Sequence, residues 1–498
     1  MRRWADLLIA ALAGAAHALA FGNAALWWLQ LLALAVLVWR VNGAARPARA
    51  ALLGWIFGTA WLVGGTWWLF VSMHRYGGLP AWLAGLAVLL LAGFLSLYLA
   101  LALWWYVRSS ARTRLWSPVL FAAVWLLAEL ARGVLFTGFP WVASGYAHVD
   151  GPLGTLAPYV GVYGIGFIAA WIAAAAAKLI GSGSRPRGWA PLLTALLLCV
   201  VASAVPHDFT VPTRTLTVTL LQGNVPQDEK FSQEHLPRVL EWYAEELEAA
   251  TADLVVTPET AIPLLPQQLP PRYWEGRELH FAQSETAALI GIPLGDFVEG
   301  YTNSVVGLKN TRAPHYRYDK FHLVPFGEFI PFGFRWFVQM MNIPLGDFDR
   351  GPLNPPSFEV LGERIAPNIC YEDLFGEELA ARFVVPSQAP TMFVNVSNIG
   401  WFGDTVAVQQ HLQISRMRAL EFQLPMLRAT NTGATAIIDH TGRVVQELAP
   451  FTRGVLTGPV HGRAGLTPFA QWASRAGLWP LVVLGVALLA LSALWRRR

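Results

Sequence analysis

The chain is short of cysteine and short of charge. Its 498 residues include two cysteines, and only 14% of positions are Asp, Glu, Lys or Arg. With 55% hydrophobic residues and a mean hydropathy of +0.42, this deficit is the composition of a membrane protein. Internal repeats, low-complexity tracts and metal-ligand spacings are also missing, and the scattered histidines form no H-E-x-x-H pattern. Repeat architectures and metal centres are therefore set aside, and no cofactor is expected. The net charge of +4 does not mark a nucleic-acid partner, because the basic residues gather at alternate ends of apolar runs instead of forming one patch.

Those runs are what the chain has in plenty. Seven in the first half are long and apolar enough to cross a bilayer, at 5–21, 24–39, 51–73, 81–107, 115–131, 160–180 and 189–205, and an eighth lies at 476–494. Arg2 and Arg3 precede the first; Arg40, Arg46 and Arg49 follow the second; Arg108, Arg112 and Arg114 follow the fourth; Lys178, Arg185 and Arg187 follow the sixth; Arg496 to Arg498 follow the eighth. The positive-inside rule then puts both termini in the cytoplasm and the segment after the seventh run outside it, which in a bacterium is the periplasmic face of the inner membrane. Met1-Arg-Arg, an apolar run and Ala18-Leu-Ala20 also fit a signal peptide; since the next span begins almost at once, the first run is read as a retained anchor. Tryptophan pairs such as Trp67-Trp68 suit interfacial belts. Glu129 has Arg132 three residues on, which predicts an ion pair. Gly161, Gly164 and Gly166 are read as helix-packing positions, not a dinucleotide loop.

The organisation expected is a membrane domain over 1–205, a soluble domain over 206–465, and a last span with a basic tail over 466–498. In the soluble part, Leu216 to Leu221 alternates as a strand. A helix is expected over 232–250 with Ser232 as its N-cap, and a second over 407–423. Further short apolar runs, among them Asp253 to Glu259, Ala287 to Pro293, Ser304 to Leu308, Ile365 to Cys370, Thr391 to Asn395 and Met426 to Thr430, make a layered α/β domain.

Cys199 sits in an apolar run and reads as a small hydrophobe. Cys370 follows a short strand and precedes Tyr-Glu-Asp-Leu-Phe-Gly-Glu-Glu-Leu. A strand-to-helix turn is where a nucleophile can be presented, and a helix N-terminus there would lower the thiol pKa and offer N–H groups to an oxyanion. A lone cysteine can equally be structural, so its partners must decide. Glu259 and Lys320 also fall at strand ends. A thiol, a carboxylate and an amine suffice for covalent acyl transfer: the carboxylate takes the thiol proton, the ammonium stabilises the tetrahedral oxyanion, and the sulfur holds the acyl group.

Thr257-Pro-Glu259, Lys320-Phe-His-Leu-Val-Pro-Phe-Gly-Glu328 and Asn368-Ile-Cys370-Tyr-Glu372 resemble the three motifs of the nitrilase, or carbon–nitrogen hydrolase, superfamily. Set behind seven spans and before an eighth, they resemble the apolipoprotein N-acyltransferase family within it. Gln222-Gly-Asn224, Trp401-Phe-Gly-Asp404, Gln410 to Glu421 and Leu427 to Asn431 extend the likeness over essentially the whole chain. The resemblance implies an αββα sandwich carrying a Glu259, Lys320, Cys370 triad, with Glu328, Tyr371, Glu372 and Trp401 in supporting or substrate-contacting places. It implies a phospholipid acyl donor and, as acceptor, the N-terminal amine of a diacylated apolipoprotein. Phe231, where the family commonly has Trp, and Ile399, where it often has Asp, depart from the pattern outside the triad.

Residues 325–348 hold Phe326, Phe329, Ile330, Phe332, Phe334, Trp336, Phe337, Met340 and Met341, too apolar for an ordinary exposed loop, and read as an arm dipping into the outer leaflet. The alternative functions are a membrane-tethered amidase using water as acceptor and a catalytically dead lipoprotein-binding scaffold.

Overall fold

The computed structural model of the chain describes residues 2–110, 117–182, 189, 192–197, 200, 208–230, 232–298, 300–311, 315–340 and 347–495. Cys199, Phe231, Met341, Arg112, Arg114, Arg185, Arg187, Arg496 to Arg498 and much of the seventh apolar run lie outside them. Two compact units emerge, one of residues 1–70, 81–207 and 476–498, the other of 71–80 and 208–475.

The first unit is helical, with helices at Arg2–Ala18, Trp27–Asn42, Pro47–Thr66, Ala81–Ser110, Ser117–Val134, Ala157–Ser182 and Trp479–Trp495. Among the described residues four helices are long and apolar enough to span a bilayer, or up to six if two bent pairs each count as one. The sequence expectation was eight. The first run makes only the shorter helix Trp4–Ala18. The third, expected unbroken over 51–73, stops at Thr66, and residues 71–80 belong to the second unit.

Small residues let these helices approach closely, since lipid supplies no hydrophobic drive and contact area must come from backbone proximity. A Cβ on Gly14 would run into the carbonyl oxygen of Phe57, and one on Gly58 would lie 2.8 Å from Ser96 Oγ. Gly166 is likewise a packing position, its missing Cβ 2.8 Å from Glu129 Oε2. Gly161 has a different reason. Its φ of 65° breaks the regular helix at that point, a conformation that a side chain disfavours.

The Glu129–Arg132 pair forms, buried, with Arg132 Nη2 3.6 Å from Glu129 Oε1 and each side chain 3% exposed. Neither charge depends on the other alone. Ser144 N and Trp125 Nε1 donate to the two carboxylate oxygens at 2.8 and 3.1 Å, and Arg132 Nη1 donates to the carbonyls of Phe139 and Trp141 at 2.6 and 2.8 Å.

The second unit is built on two six-stranded sheets. Strands β1 (Thr210–Gln222), β2 (Leu254–Val256), β3 (Ala287–Asp296), β4 (Gly300–Leu308) and β5 (Tyr316–Asp319) belong to the first. Strands β6 (Phe358–Val360), β7 (Glu363–Ile369), β8 (Met392–Ser397), β9 (Met426–Thr430), β10 (Ala436–Ile438) and β11 (Val444–Glu447) make the second, and β12 (Gly454–Gly465) returns to the edge of the first. The orders are β12-β1-β2-β3-β4-β5 and β11-β10-β9-β8-β7-β6, with β1, β2, β3 mutually parallel and β7, β8, β9 likewise.

Alternation along each strand decides which side chain faces which layer. Leu216, Val218, Leu220, Leu254, Val256 and Leu289 join Ile365, Ile369, Val394, Val396 and Leu427 in one core common to both sheets. Their neighbours Leu221, Val255, Ala288 and Ile290 face the opposite way, onto Val239, Leu240, Tyr243 and Leu247 of the helix Leu236–Ala249 and Phe281 of the helix Tyr273–Gln283. Strands covered on both faces are apolar throughout, as Leu254-Val-Val is. On the far side of the second sheet, Phe422 from the helix Ala407–Phe422 stacks on Phe383 at 5.0 Å and meets Phe393 at 5.2 Å.

The first of these helices begins four residues later than expected. Ser232 is not its cap: the Ser232 carbonyl accepts from His235 N and Leu236 N in a preceding turn, and the helix starts at Leu236 with Pro237 in its first turn, where a missing N–H costs nothing.

Candidate active site

Parallel strands release their chains at one end of a sheet, and four such ends converge here. Glu259 follows β2, Lys320 follows β5, Cys370 follows β7, and Asn398 follows β8. The convergence is fixed by polar contacts. Lys320 Nζ lies 3.5 Å from Glu259 Oε1 and donates to Glu328 Oε1 at 2.9 Å. Asn303, on β4, gives its amide to both carboxylates, 2.8 Å to Glu259 Oε1 and 2.7 Å to Glu328 Oε1. The other Glu259 oxygen accepts from Asn398 N at 2.8 Å, and the other Glu328 oxygen from Val324 N at 2.8 Å. Two carboxylates and an ammonium are thus locked in one buried cluster with no rotational freedom left to any of them.

Burial alone would pull the Lys320 pKa down, but Glu328, Glu259 and Cys370 outweigh it and hold the amine protonated, above its ordinary value. The thiol moves the other way from the sequence expectation. Burial, then Glu259, push the Cys370 pKa well above that of a free thiol; Lys320 opposes this, while Glu328 and Asp373 add to it. The expected helix is also absent at this point. Cys370–Leu374 is a five-residue 3-10 turn, and a short helix follows only at Gly376–Ala380. The reason is Glu372, whose carboxylate folds back onto Ile369 N at 2.6 Å and tightens the turn. Cys370 itself has φ 54°, a left-handed conformation costly for a residue with a side chain, yet it retains partial exposure. Such strain persists where neighbours over-determine it. Here Asn395 Nδ2 and His411 Nε2 grip the Cys370 carbonyl at 3.1 and 3.2 Å.

The supporting residues divide by what they touch. Glu328 is in the charged cluster. Glu372 is a buried tie: besides Ile369 N it accepts from Tyr318 Oη at 2.6 Å, Phe321 N at 2.7 Å and His322 N at 3.1 Å, joining the cysteine turn to the lysine loop. Tyr371 packs its ring on Phe375 at 5.3 Å and His322 at 5.6 Å. Trp401 lies on the turn Ile399–Phe402 that follows Asn398, its ring edge-on to Tyr76 at 5.7 Å.

Sequence reasoning missed Asn303, Asn398 and Lys230, whose Nζ donates to the Glu259 carbonyl at 3.1 Å. It also missed Asp373, which accepts from His411 Nε2 at 3.0 Å, from Ser415, and from Arg428 Nη1 at 3.3 Å, all of them buried. Arg428 also donates to His411 Nδ1 at 3.1 Å, so the imidazole proton sits on Nε2 and points at Asp373. A signal was available for Arg428: it interrupts the otherwise apolar run Met426-Leu-Arg-Ala, and a charged residue buried in mid-strand needs a partner. Among the described residues no group of His, Cys, Asp or Glu has the arrangement of a metal site.

Comparison with known proteins places the two units separately and together. The family model described as Carbon-nitrogen hydrolase matches residues 217–468, and that described as Apolipoprotein N-acyltransferase N-terminal domain matches residues 13–175. Over nearly full length the chain is similar to the apolipoprotein N-acyltransferase of Verminephrobacter eiseniae, at 55% identity over 95% of this chain and 93% of that one. The corresponding proteins of Ralstonia nicotianae, at 48% over 98% and 93%, and Bordetella bronchiseptica, at 42% over 99% and 98%, are similar too.

Proposed function

The chain belongs to the apolipoprotein N-acyltransferase family, and from that membership we propose how its own residues carry out the reaction. It is an acyltransferase of lipoprotein maturation; the amidase reading, with water as acceptor, is not favoured.

In the proposed reaction a glycerophospholipid is the acyl donor. The Cys370 thiol, held protonated at rest by burial and by Glu259, requires a base, and the Glu259 carboxylate takes its proton. The thiolate adds to the ester carbonyl, and Lys320 stabilises the oxyanion. The C–O bond to glycerol breaks, Glu259 returns the proton to the departing alkoxide, and the lysophospholipid leaves a thioester on Cys370. In the second half the neutral α-amine of a diacylglyceryl-cysteine attacks the thioester and gives a proton to Glu259. The C–S bond breaks, the sulfur recovers that proton, and an amide is left on the acceptor. Glu328 keeps Lys320 and Asn303 in place, Glu372 and Tyr371 hold the turn, and Trp401 is offered as a substrate contact.

The observation that carries this reading is the single buried amide of Asn303 clamping Glu259 and Glu328 around Lys320, with all three ionised groups acting on the Cys370 thiol. The test is intact-mass analysis of protein purified from membranes. A hydroxylamine-labile acyl adduct on Cys370 should be present, and adding a diacylated lipopeptide should discharge it as N-acyl lipopeptide. Free fatty acid as the main product would move the protein to the amidase reading.

For the architecture we infer an αββα sandwich over 206–465, inserted between a seven-span membrane domain (1–205) and a last span (466–498). The two sheets sharing one core, with helices on their outer faces, support the sandwich. The alternation of basic connections supports inner-membrane insertion with cytoplasmic termini and a periplasmic catalytic unit. Reporter fusions after Arg49 and within 210–460 should score on opposite sides of the membrane.

A further inference from the structure

Lys230 is buried, and Glu259 and Cys370 are the charged partners that act on it. Its ammonium makes one hydrogen bond among the described residues, to the main-chain carbonyl of Glu259 at 3.1 Å. A neutral donor would hold that carbonyl as well, and burying a charge costs far more than burying an amide. The charge therefore calls for an explanation of its own. Around the thiol stand three carboxylates, Glu259, Glu328 and Asp373, the last paired with the Arg428 guanidinium, and one other ammonium, Lys320. Without Lys230 that set carries a net negative charge, which opposes making another anion at Cys370. With it the set is neutral before the thiol loses its proton.

We propose that Lys230 is a second active-site cation: it positions Glu259 through that residue's main chain, and its positive charge favours the Cys370 thiolate. The proposal rests on Cys370 as the nucleophile. Local structure gives the ammonium a fixed place. Lys230 N bonds to Pro226 O in a turn, and Gln227 of that turn accepts from Asn398 Nδ2 at 2.8 Å. Asn398 N binds Glu259 Oε2, and so a closed ring runs Lys230, Glu259, Asn398, Gln227. Burial draws the Lys230 pKa down to about 8, with Glu259 and Cys370 pulling it back up. The amine is thus still mostly charged at neutral pH, and its charge answers to the state of the thiol.

The experiment measures iodoacetamide alkylation of Cys370 against pH in the full-length detergent-solubilised protein, first freed of its acyl adduct with hydroxylamine, and is read at the Cys370 peptide by mass spectrometry so that Cys199 does not contribute. Lys230→Gln keeps a donor and drops the charge, Lys230→Met drops both, and Lys230→Arg keeps both. The neutral variants are expected to alkylate about tenfold more slowly at pH 7, with the profile displaced upward by about one pH unit, while Lys230→Arg stays near wild type. Wild-type rates in folded Lys230→Gln or Lys230→Met would overturn the proposal. If the neutral variants do not fold, a folded Lys230→Arg that has lost alkylation overturns it, and one that retains it supports it. Failure of the nucleophile assignment reads differently, as a wild-type Cys370 that carries no acyl adduct.

Discussion

Two buried charge clusters, one in each unit, are built from the same residue types to opposite ends. In the helical unit one carboxylate meets one guanidinium, and every oxygen of Glu129 is already taken by Ser144 N or Trp125 Nε1. In the sheet unit two carboxylates share one ammonium and one amide, and a second ammonium holds the Glu259 main chain, around a thiol that keeps partial exposure. The first is closed, both of its carboxylate oxygens already accepting from fixed donors. The second contains a group, the thiol, whose ionisation the surrounding charges set. On the proposed function, what separates the two is not burial or charge but the partly exposed thiol that stands inside the second cluster.

The sharpest way to break that comparison is to neutralise one carboxylate in each. Glu259→Gln is expected to cut acyl loading of Cys370 by about 10²–10⁴-fold, the range for losing a general base. A glutamine has a single acceptor oxygen and keeps the bond from Asn398 N or that from Asn303 but not both, which is expected to cost about 1–3 kcal/mol of stability. Loss of fold with no specific loading defect in the folded fraction would make Glu259 structural, like Glu129.

Asp373 is the intermediate case, a carboxylate close to the thiol in sequence but closed off by His411, Ser415 and Arg428. Burial alone would raise its pKa; His411 and Arg428 more than reverse this and hold it below the ordinary value. A carboxyl depressed in the folded state stabilises above the unfolded pKa, about 3.9, and that contribution fades as pH falls through the folded value. Asp373→Asn leaves Arg428 buried without its counter-charge and is expected to cost about 3–5 kcal/mol at pH 7. Thermal melts from pH 7 down to pH 3 check both halves: the gap between wild type and variant should be wide at neutral pH and close below about pH 4.

Glu129→Gln likewise takes the counter-charge from a buried arginine, Arg132, and turns one of two occupied acceptor oxygens into a donor, so a similar cost of about 3–5 kcal/mol is expected, yet single-turnover loading by the folded protein should stay within about twofold of wild type. A loading defect as large as that of Glu259→Gln would join the two clusters in function.

Sequence could reveal the second cluster's outline because Glu259 and Cys370 end apolar runs, and because their surroundings and those of Lys320 resemble the three motifs of one superfamily. It could not reveal Asn303 as the clamp, since an asparagine in Tyr-Thr-Asn-Ser-Val-Val gains its role only from two carboxylates far away in sequence. Lys230 was hidden likewise, reading as one more charge in Gln-Asp-Glu-Lys. The turn at Cys370 was misread as a helix because Glu and Asp after a strand are ordinary N-terminal helix residues. What decides otherwise is the fold-back of Glu372 onto Ile369 N, together with its pull on the lysine loop. Strands β5, β6, β11 and β12 escaped because they are short or half-exposed and owe their existence to a neighbour already in place.

The smallest effect is expected outside both clusters, on the apolar segment after Lys320. Its base is tied to the charged cluster, since Phe348 N donates to the Glu328 carbonyl at 2.9 Å. Part of it packs on itself, with Phe326 against Phe334 at 5.3 Å and Phe337 at 5.9 Å, and Val338 is buried. Phe332 is fully exposed and Trp336 is 60% exposed. Side chains that bury little in the folded chain contribute little to its stability, so polar replacement of Phe332 and Trp336 should leave the melting temperature within about 1–2 °C, as for surface positions. An arm that shields a rising acyl chain, each CH₂ of which costs about 0.8 kcal/mol in water, should instead slow loading from phospholipid vesicles by several-fold. Loading from a short-chain, water-soluble ester should be nearly unchanged. Equal slowing with both donors would place these two side chains in the chemistry and not on the path of the lipid.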